Sequence, residues 1–472
     1  MAATVTRTGS ARKEGWLDAL EFCGTPLEIL CKISAMQPRT ALIAAFLALT
    51  ACHRADHGAE WLGTVQPVDT PAGPGSRFPS FAAGNGRPVV MSWLEPTAGD
   101  AFALRHSTWS EAGWSAARTV AADAHWFINW ADFPSVVPVA ANLWAAHWLQ
   151  QQPGNVYSYD VRLAVSRDGG ATWSAAISPH DDGTATEHGF VSIFRDGAGT
   201  LRAAWLDGRH TAGEHDHAAH GEAASGGAMT LRAAAIDPNG QRIGADSEID
   251  ARVCDCCQTD AALTADGPVV VYRDRGMDEV RNIQAVRLDG PAWSVPVPVH
   301  DDGWRIAGCP VNGPAIDALG NDVAVAWFTA PDVPRVRIAF SRDGGRGFGP
   351  PLEVASGSVG GRVDIVLLPD QRAIVSWLDE GAAGGRLMAQ PFTSRGAAGA
   401  PVLVANGLTG QQSGFPQMVR AGQGLLFAWT VPGDPSSVQT AYAPLRRGGS
   451  GVAPAYAKIR AAIFPTRTIG AR

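Results

Sequence analysis

Between positions 180 and 314 the chain concentrates the side chains best suited to chemistry. The stretch "VCDCCQTD" (253–260) places Cys254, Cys256 and Cys257 together, and Cys309 follows in "DGWRIAGCPVNGP" (302–314), which also holds Arg305 and Asn312. Thiols so placed have two uses: they close disulfides in an oxidising compartment, or as thiolates they hold a soft ion such as copper(I) or zinc. Four cysteines admit three pairings, and spacing does not choose among them. Two disulfides stapling neighbouring repeats are the expectation. "YRDR" (272–275) sets the Tyr272 phenol beside the guanidinium groups of Arg273 and Arg275. "HDDG" occurs at 180–183 and again at 300–303, and each copy reads as a polar turn. "HTAGEHDHAAHGE" (210–222) carries His210, His215, His217 and His220 with no apolar residue beyond alanine. It reads as an exposed polar loop, with adventitious metal capture as the alternative. No cofactor is expected.

The elements that must position these groups follow from composition and pattern. In 472 residues there are 54 glycines, 32 prolines and 16 tryptophans, with only 18% charged residues. That mixture suits many short strands joined by turns better than helical bundles. The net charge of −7 is spread along the chain, so no nucleic-acid partner is expected. Residues 40–51, "TALIAAFLALTA", follow Arg39 and form an apolar run too short to span a bilayer. A basic residue, a short apolar run and small residues ahead of a cut site read as an export signal. "LTAC" (49–52) also resembles the bacterial lipobox, which implies lipidation of Cys52 and a place in the periplasm or at the outer membrane. The expected organisation is an upstream extension (1–35) before a start at Met36, a signal peptide (36–51), a linker (52–61), a folded domain (62–447) and a tail (448–472).

A repeat organises the folded domain. A short segment, often containing Phe-Pro-Ser, is followed by an apolar strand ending in Trp. Arg77 to Trp93, Asp132 to Trp148 and Gly189 to Trp205 share one spacing, and further copies end at Trp327, Trp377 and Trp429. In the fourth copy Arg273 takes the Trp position. Each copy continues with a third strand such as "VRLAVS" or "VRIAFS", a turn and a fourth strand. Four antiparallel strands per unit, repeated about an axis, describe an all-β propeller. Seven blades are counted, six if one copy is an embellishment. A lone blade cannot bury both faces of its sheet, so the ring must close. The strand within "LGTVQPVDT" (62–70) is expected to complete the last blade.

"SRDGGATW" (166–173) and "SRDGGRGF" (341–348) both fall between a third and a fourth strand. Glycines permit positive φ, the Asp accepts turn N–H groups and the aromatic covers the turn. One Asp does not supply the ligands of a calcium loop. Ser-x-Asp-x-Gly-x-x-Trp/Phe resembles the Asp-box, or BNR repeat, of the sialidase superfamily. Within that resemblance the box is structural and peripheral, while ligands meet the loops at one mouth of the channel.

Residues that open the repeats are therefore the first site candidates: Arg77, Asp132, His188, the Cys256 region, Asn312, Arg362 and Gln412. Arg77 in "SRFP" is similar to the family's first carboxylate-gripping arginine. The resemblance implies an aspartic acid/base and a tyrosine–glutamate nucleophile pair, and position in the repeat offers Asp132 for the first and Tyr272 with Glu187 for the second. Position likewise offers Arg273, Arg275, Arg305, Asn312 and Arg362 as substrate contacts. The function it implies is hydrolysis of a terminal sialic or related acidic sugar. A non-catalytic propeller binding glycan or protein, and a metal-handling surface protein, are the competing readings. The expected partner is a carbohydrate, with membrane contact only through a lipid at Cys52.

Overall fold

The computed structural model describes residues 61–83, 87–153, 156–211, 227–381 and 384–446. Cys52, the signal, most of the linker, the tail, and His215, His217 and His220 lie outside the described residues. The described chain forms seven antiparallel blades in a ring. Their innermost strands are Arg77–Ala82, Ser135–Pro138, His188–Arg195, Asp260–Thr264, Ala315–Leu319, Val359–Leu367 and Gln417–Ala421. In blade 2 the outermost place is reduced to a bridge between Leu163 and Ile177. The only helical element among the described residues is one 3₁₀ turn, Gln411–Ser413.

The expected closure is present. Strand Gln66–Val68 pairs with Ser437–Pro444, setting Val68 opposite Thr440, and Leu62 bridges Leu445. The last blade is thus built from both ends of the domain. Trp61 secures this seam: it is 4% exposed, packs among Leu62, Leu408 and Ala443, and donates its indole N–H to Ala400 O at 2.8 Å.

Strand alternation explains the recurring tryptophans. Trp93, Trp205 and Trp327 are fully buried between neighbouring sheets, where a large flat ring fills the wedge between blades. Their indoles donate to Glu95, Asp207 and Asp302 respectively. Arg273, at the same place in blade 4, is 1% exposed and makes four hydrogen bonds, all to backbone carbonyls of Asn312, Arg281 and Phe328.

Antiparallel order fixes which loops share a face. First strands begin, second strands end and third strands begin on the face that receives the connector from the previous blade. Turns after third strands lie on the opposite face. Both Ser-x-Asp-x-Gly stretches follow third strands, so they lie away from the connectors. They form one turn twice. Ser166 Oγ donates to Asp168 and accepts from Gly170 N, and Asp168 accepts from Ala171 N and Thr172 N. Ser341, Asp343, Gly345, Arg346 and Gly347 repeat each bond. Gly170 has φ 81°, and a Cβ there would meet His106 and Trp144 at 2.8 Å, so the second glycine of the box is obligatory in blade 2.

Trp61→Ala removes a buried anchor of the seam and is expected to cost roughly 3–5 kcal/mol in urea unfolding. A loss below about 1 kcal/mol would show that the ring does not depend on this closure.

Candidate functional site

Three innermost strands carry the same irregularity. Register shifts occur after Arg77, Gly189 and Gly361, and the next residues, Phe78, Phe190 and Arg362, have φ of 54°, 54° and 49°. Positive φ in non-glycine residues is strained and needs support. Each freed backbone N–H is captured by a side chain of another blade or connector: Phe78 N by Thr430 Oγ1, Phe190 N by Asp132 Oδ1, and Arg362 N by Asn312 Oδ1. Asp132 and Asn312 therefore hold equivalent posts, each one residue before an x-Pro step.

Asp132 and Glu187 do come together, but around Tyr159 rather than Tyr272. A Cβ on Gly189 would lie 2.0 Å from Asp132 Oδ2 and 3.0 Å from the Tyr159 ring, so the missing side chain makes room for both. Burial, with the Glu187 charge adding, lifts the Asp132 carboxyl to about 8, against the pull of the Phe190 N–H. Burial, then Glu187 and Asp132, likewise raise the Tyr159 phenol. The trio is closed: Tyr159 is 2%, Asp132 3% and Glu187 6% exposed, and Phe127 stacks on Tyr159 at 4.0 Å. Tyr272 is fully buried and donates its hydroxyl to Asp250 at 2.6 Å. Tyr159 carries no local sequence signal; it opens a third strand, and only the fold brings it beside the next connector.

The arginines named above are turned to separate protein acceptors. Arg77 lies over Phe102 and points Nε at Gly75 O. Arg275 bonds Glu279 and Asp255, and exposed Arg305 pairs with Asp278. Arg362 donates to Gly410 O and Gly414 O and lies over Trp130.

Two polar clusters flank these residues on the connector face. His180 and His188 stack at 3.8 Å, with Asp160, Asp182 and Asp207 around them. Those carboxylates are already engaged: Asp207 takes Trp205 and Arg209, and Asp182 takes His188 and Thr184. The second "HDDG" does similar work, Asp302 accepting from Trp327 and Arg337 of the next blade. The other cluster is sulfur. Cys254, Cys256, Cys257 and Cys309 are free thiols here, with Cys254 Sγ 2.7 Å from Cys257 Sγ and 3.9 Å from Cys256 Sγ. Burial opposes ionisation of Cys254, but bonds from its two neighbours and the Arg281 and Arg273 charges outweigh it and hold this thiol well below its ordinary range.

The connector before blade 2 roofs the channel. Ala131 O accepts from Gln258 of blade 4, Asp132 holds blade 3, and Trp130 stacks on Phe415 of the blade 7 connector at 6.0 Å and 15°. Below the roof lies a channel of ≈ 660 Å³ lined by all seven innermost strands. Its opposite rim is open: Ala83 and Arg420 are exposed, and Arg87, Arg195 and Leu319 half-buried. Arg87, Arg195 and Arg420 all stand at this rim, and the buried Nε of Arg195 has no hydrogen-bond partner. Above them Asp260, Asp317 and Asp364 face the lumen. Each accepts a backbone N–H from the next blade, of Ile316, Leu367 and Met418. Burial is the main cause that pushes them up to about 7, 6 and 8, and repulsion among them adds at Asp260 and Asp364.

No family model and no curated protein matches the chain. Solved structures do. The BP39L lectin of Burkholderia pseudomallei aligns over 77% of this chain and 96% of its own at 12% identity, TM-score 0.52. A leech intramolecular trans-sialidase aligns over 75% and 82% at 9% identity, TM-score 0.42. An α-L-arabinanase of Penicillium chrysogenum aligns over 66% and 92% at 13% identity, TM-score 0.40. At these identities the likeness is one of fold.

The lumen aspartates set a pH dependence. Their folded-state values lie above the unfolded value of 3.8, so the native chain binds more protons across that interval. Their contribution to stability is largest below about pH 4 and falls as pH rises toward 8. Thermal unfolding is expected to show a lower Tm at pH 8 than at pH 5, with Asp364→Asn narrowing the gap. An unchanged gap would remove Asp364 as a cause.

Proposed function

We propose that the protein is a non-catalytic propeller that binds an acidic glycan through the open rim of its channel. The observation that carries this reading is the division of the channel into a roofed end and an open, arginine-bearing end. At the roof, the groups a sialidase-like hydrolysis would need are buried or tied to protein partners. A nucleophile 2% exposed beneath a stacked ring does not meet a sugar. At the open rim, Arg87, Arg195 and Arg420 present guanidinium groups suited to a carboxylate, which they grip through paired, charge-assisted bonds. The fold likeness to a lectin supports a binding role. Export and a lipid anchor at Cys52 belong to this reading, placing the ring where glycans are met.

The test is a glycan array read beside a fluorogenic sialoside assay. Sialylated or uronate-bearing glycans are expected to bind without turnover, more weakly at pH 8 than at pH 5 as the lumen carboxyls ionise. Arg195→Ala is expected to weaken binding by roughly tenfold or more. Turnover abolished by Tyr159→Phe or Asp132→Asn would overturn the reading in favour of a hydrolase.

A further inference from the structure

The thiol cluster on the connector face stands apart from the channel rim and from the glycan reading. We propose that Cys254, Cys256 and Cys257, with Cys309 at the entrance, form a binding site for one copper(I) ion. Three observations carry this. First, the three sulfurs of the connector lie within 4.8 Å of one another, a spacing that lets three atoms meet one ion. Metal–thiolate bonds of about 2.3 Å place sulfurs just under 4 Å apart. The Cys254–Cys256 separation of 3.9 Å already meets that, and Cys257 reaches it by moving about 1 Å away from Cys254. At 2.7 Å, Cys254 and Cys257 stand close enough either to bond to each other or to share one ion with Cys256.

Second, two buried guanidinium groups act on the sulfurs beside the carboxylates of Asp255 and Glu279, and one of them keeps unpartnered donors. Arg281 is 2% exposed; its Nη2 donates to Glu279, while Nε and Nη1 have no hydrogen-bond partner. The charge of Arg273, 1% exposed, also acts on Cys254. Buried donors without acceptors are costly, and buried cations need counter-charge. A copper(I) ion held by three thiolates carries a net charge of −2, which the Arg273 and Arg281 guanidinium groups offset in part, Arg281 being shared with Glu279. Binding therefore releases three thiol protons and leaves the copper oxidation state unchanged.

Third, the site has a way in. Cys254 and Cys257 are buried, whereas Cys256 and Cys309 are half-buried, and Cys309 lies within hydrogen-bonding reach of Cys256. Cys309 is thus placed to hand an ion inward. Zinc favours four ligands in a tetrahedron, while soft sulfur sets of lower number suit copper(I). With three sulfurs mutually close and the fourth offset, the geometry points to copper(I).

The experiment uses the full chain with Cys23, Cys31 and Cys52 replaced by serine, reduced under argon until four thiols titrate in denaturant. Copper(I) is then offered in competition with bathocuproine disulfonate. Expected are one copper ion per chain, near-ultraviolet thiolate-to-copper absorption and no displacement by equimolar zinc. Cys256→Ser changes a half-buried position, and near-ultraviolet circular dichroism checks that it remains folded. It should weaken copper binding by at least about 100-fold. Replacing His210, His215, His217 and His220 by alanine should leave uptake unchanged. Four titratable thiols with no copper uptake overturn the proposal. So does uptake that survives Cys256→Ser in a folded protein, or that vanishes with the histidines. None of these readouts depends on glycan binding.

Discussion

The ring rests on one recurring interaction, in which a polar side chain of one blade or connector captures a backbone N–H of another. Asp132, Asn312 and Thr430 do this at the bulges, and Asp260, Asp317 and Asp364 do it deeper in the channel. Innermost strands lie too far apart to pair with one another, so their edge N–H groups would otherwise be buried without acceptors. A propeller therefore needs polar residues along its axis for purely structural reasons. Those residues are aspartate, asparagine and threonine, the types that also mark sites.

This constraint explains how much could be read from the sequence. The tryptophan-ended second strands, the two Ser-x-Asp-x-Gly turns and the closing strand were legible because each is a local pattern with a fixed place in a blade. The polar residues that open the repeats were legible as positions and opaque as roles. Arg273 stands where other blades keep tryptophan, and in the fold it straps backbone carbonyls, a job that a rigid planar donor performs well. Asp132 matches the post held by Asn312, an equivalence that only the shared bulge geometry exposes. Tyr159 and Arg281 carried no signal, since their partners lie on other strands and connectors. The roof at 124–134 is a connector of ordinary length, and no local pattern says that it crosses to Gln258 and Phe415.

The same economy separates the two faces of the molecule. On the connector face, charge is abundant but largely spoken for: guanidinium groups meet carbonyls and carboxylates, and imidazoles meet aspartates. Arg281, beside the thiols, keeps two buried donors without acceptors. On the opposite rim, Arg87 and Arg195 stand close enough to repel each other.

The roof also changes the topology of the space inside the ring. With Trp130 and Asp132 reaching blades 7 and 3, and Ala131 fastened to blade 4, the axis is blocked at one end. What remains is a cup with a floor, not a tube. A tube lets a polymer thread through and be gripped anywhere along its length; a cup admits only a terminus. Under the proposed binding reading, a chain entering this cup is met at its last units, and selectivity becomes a selectivity for ends.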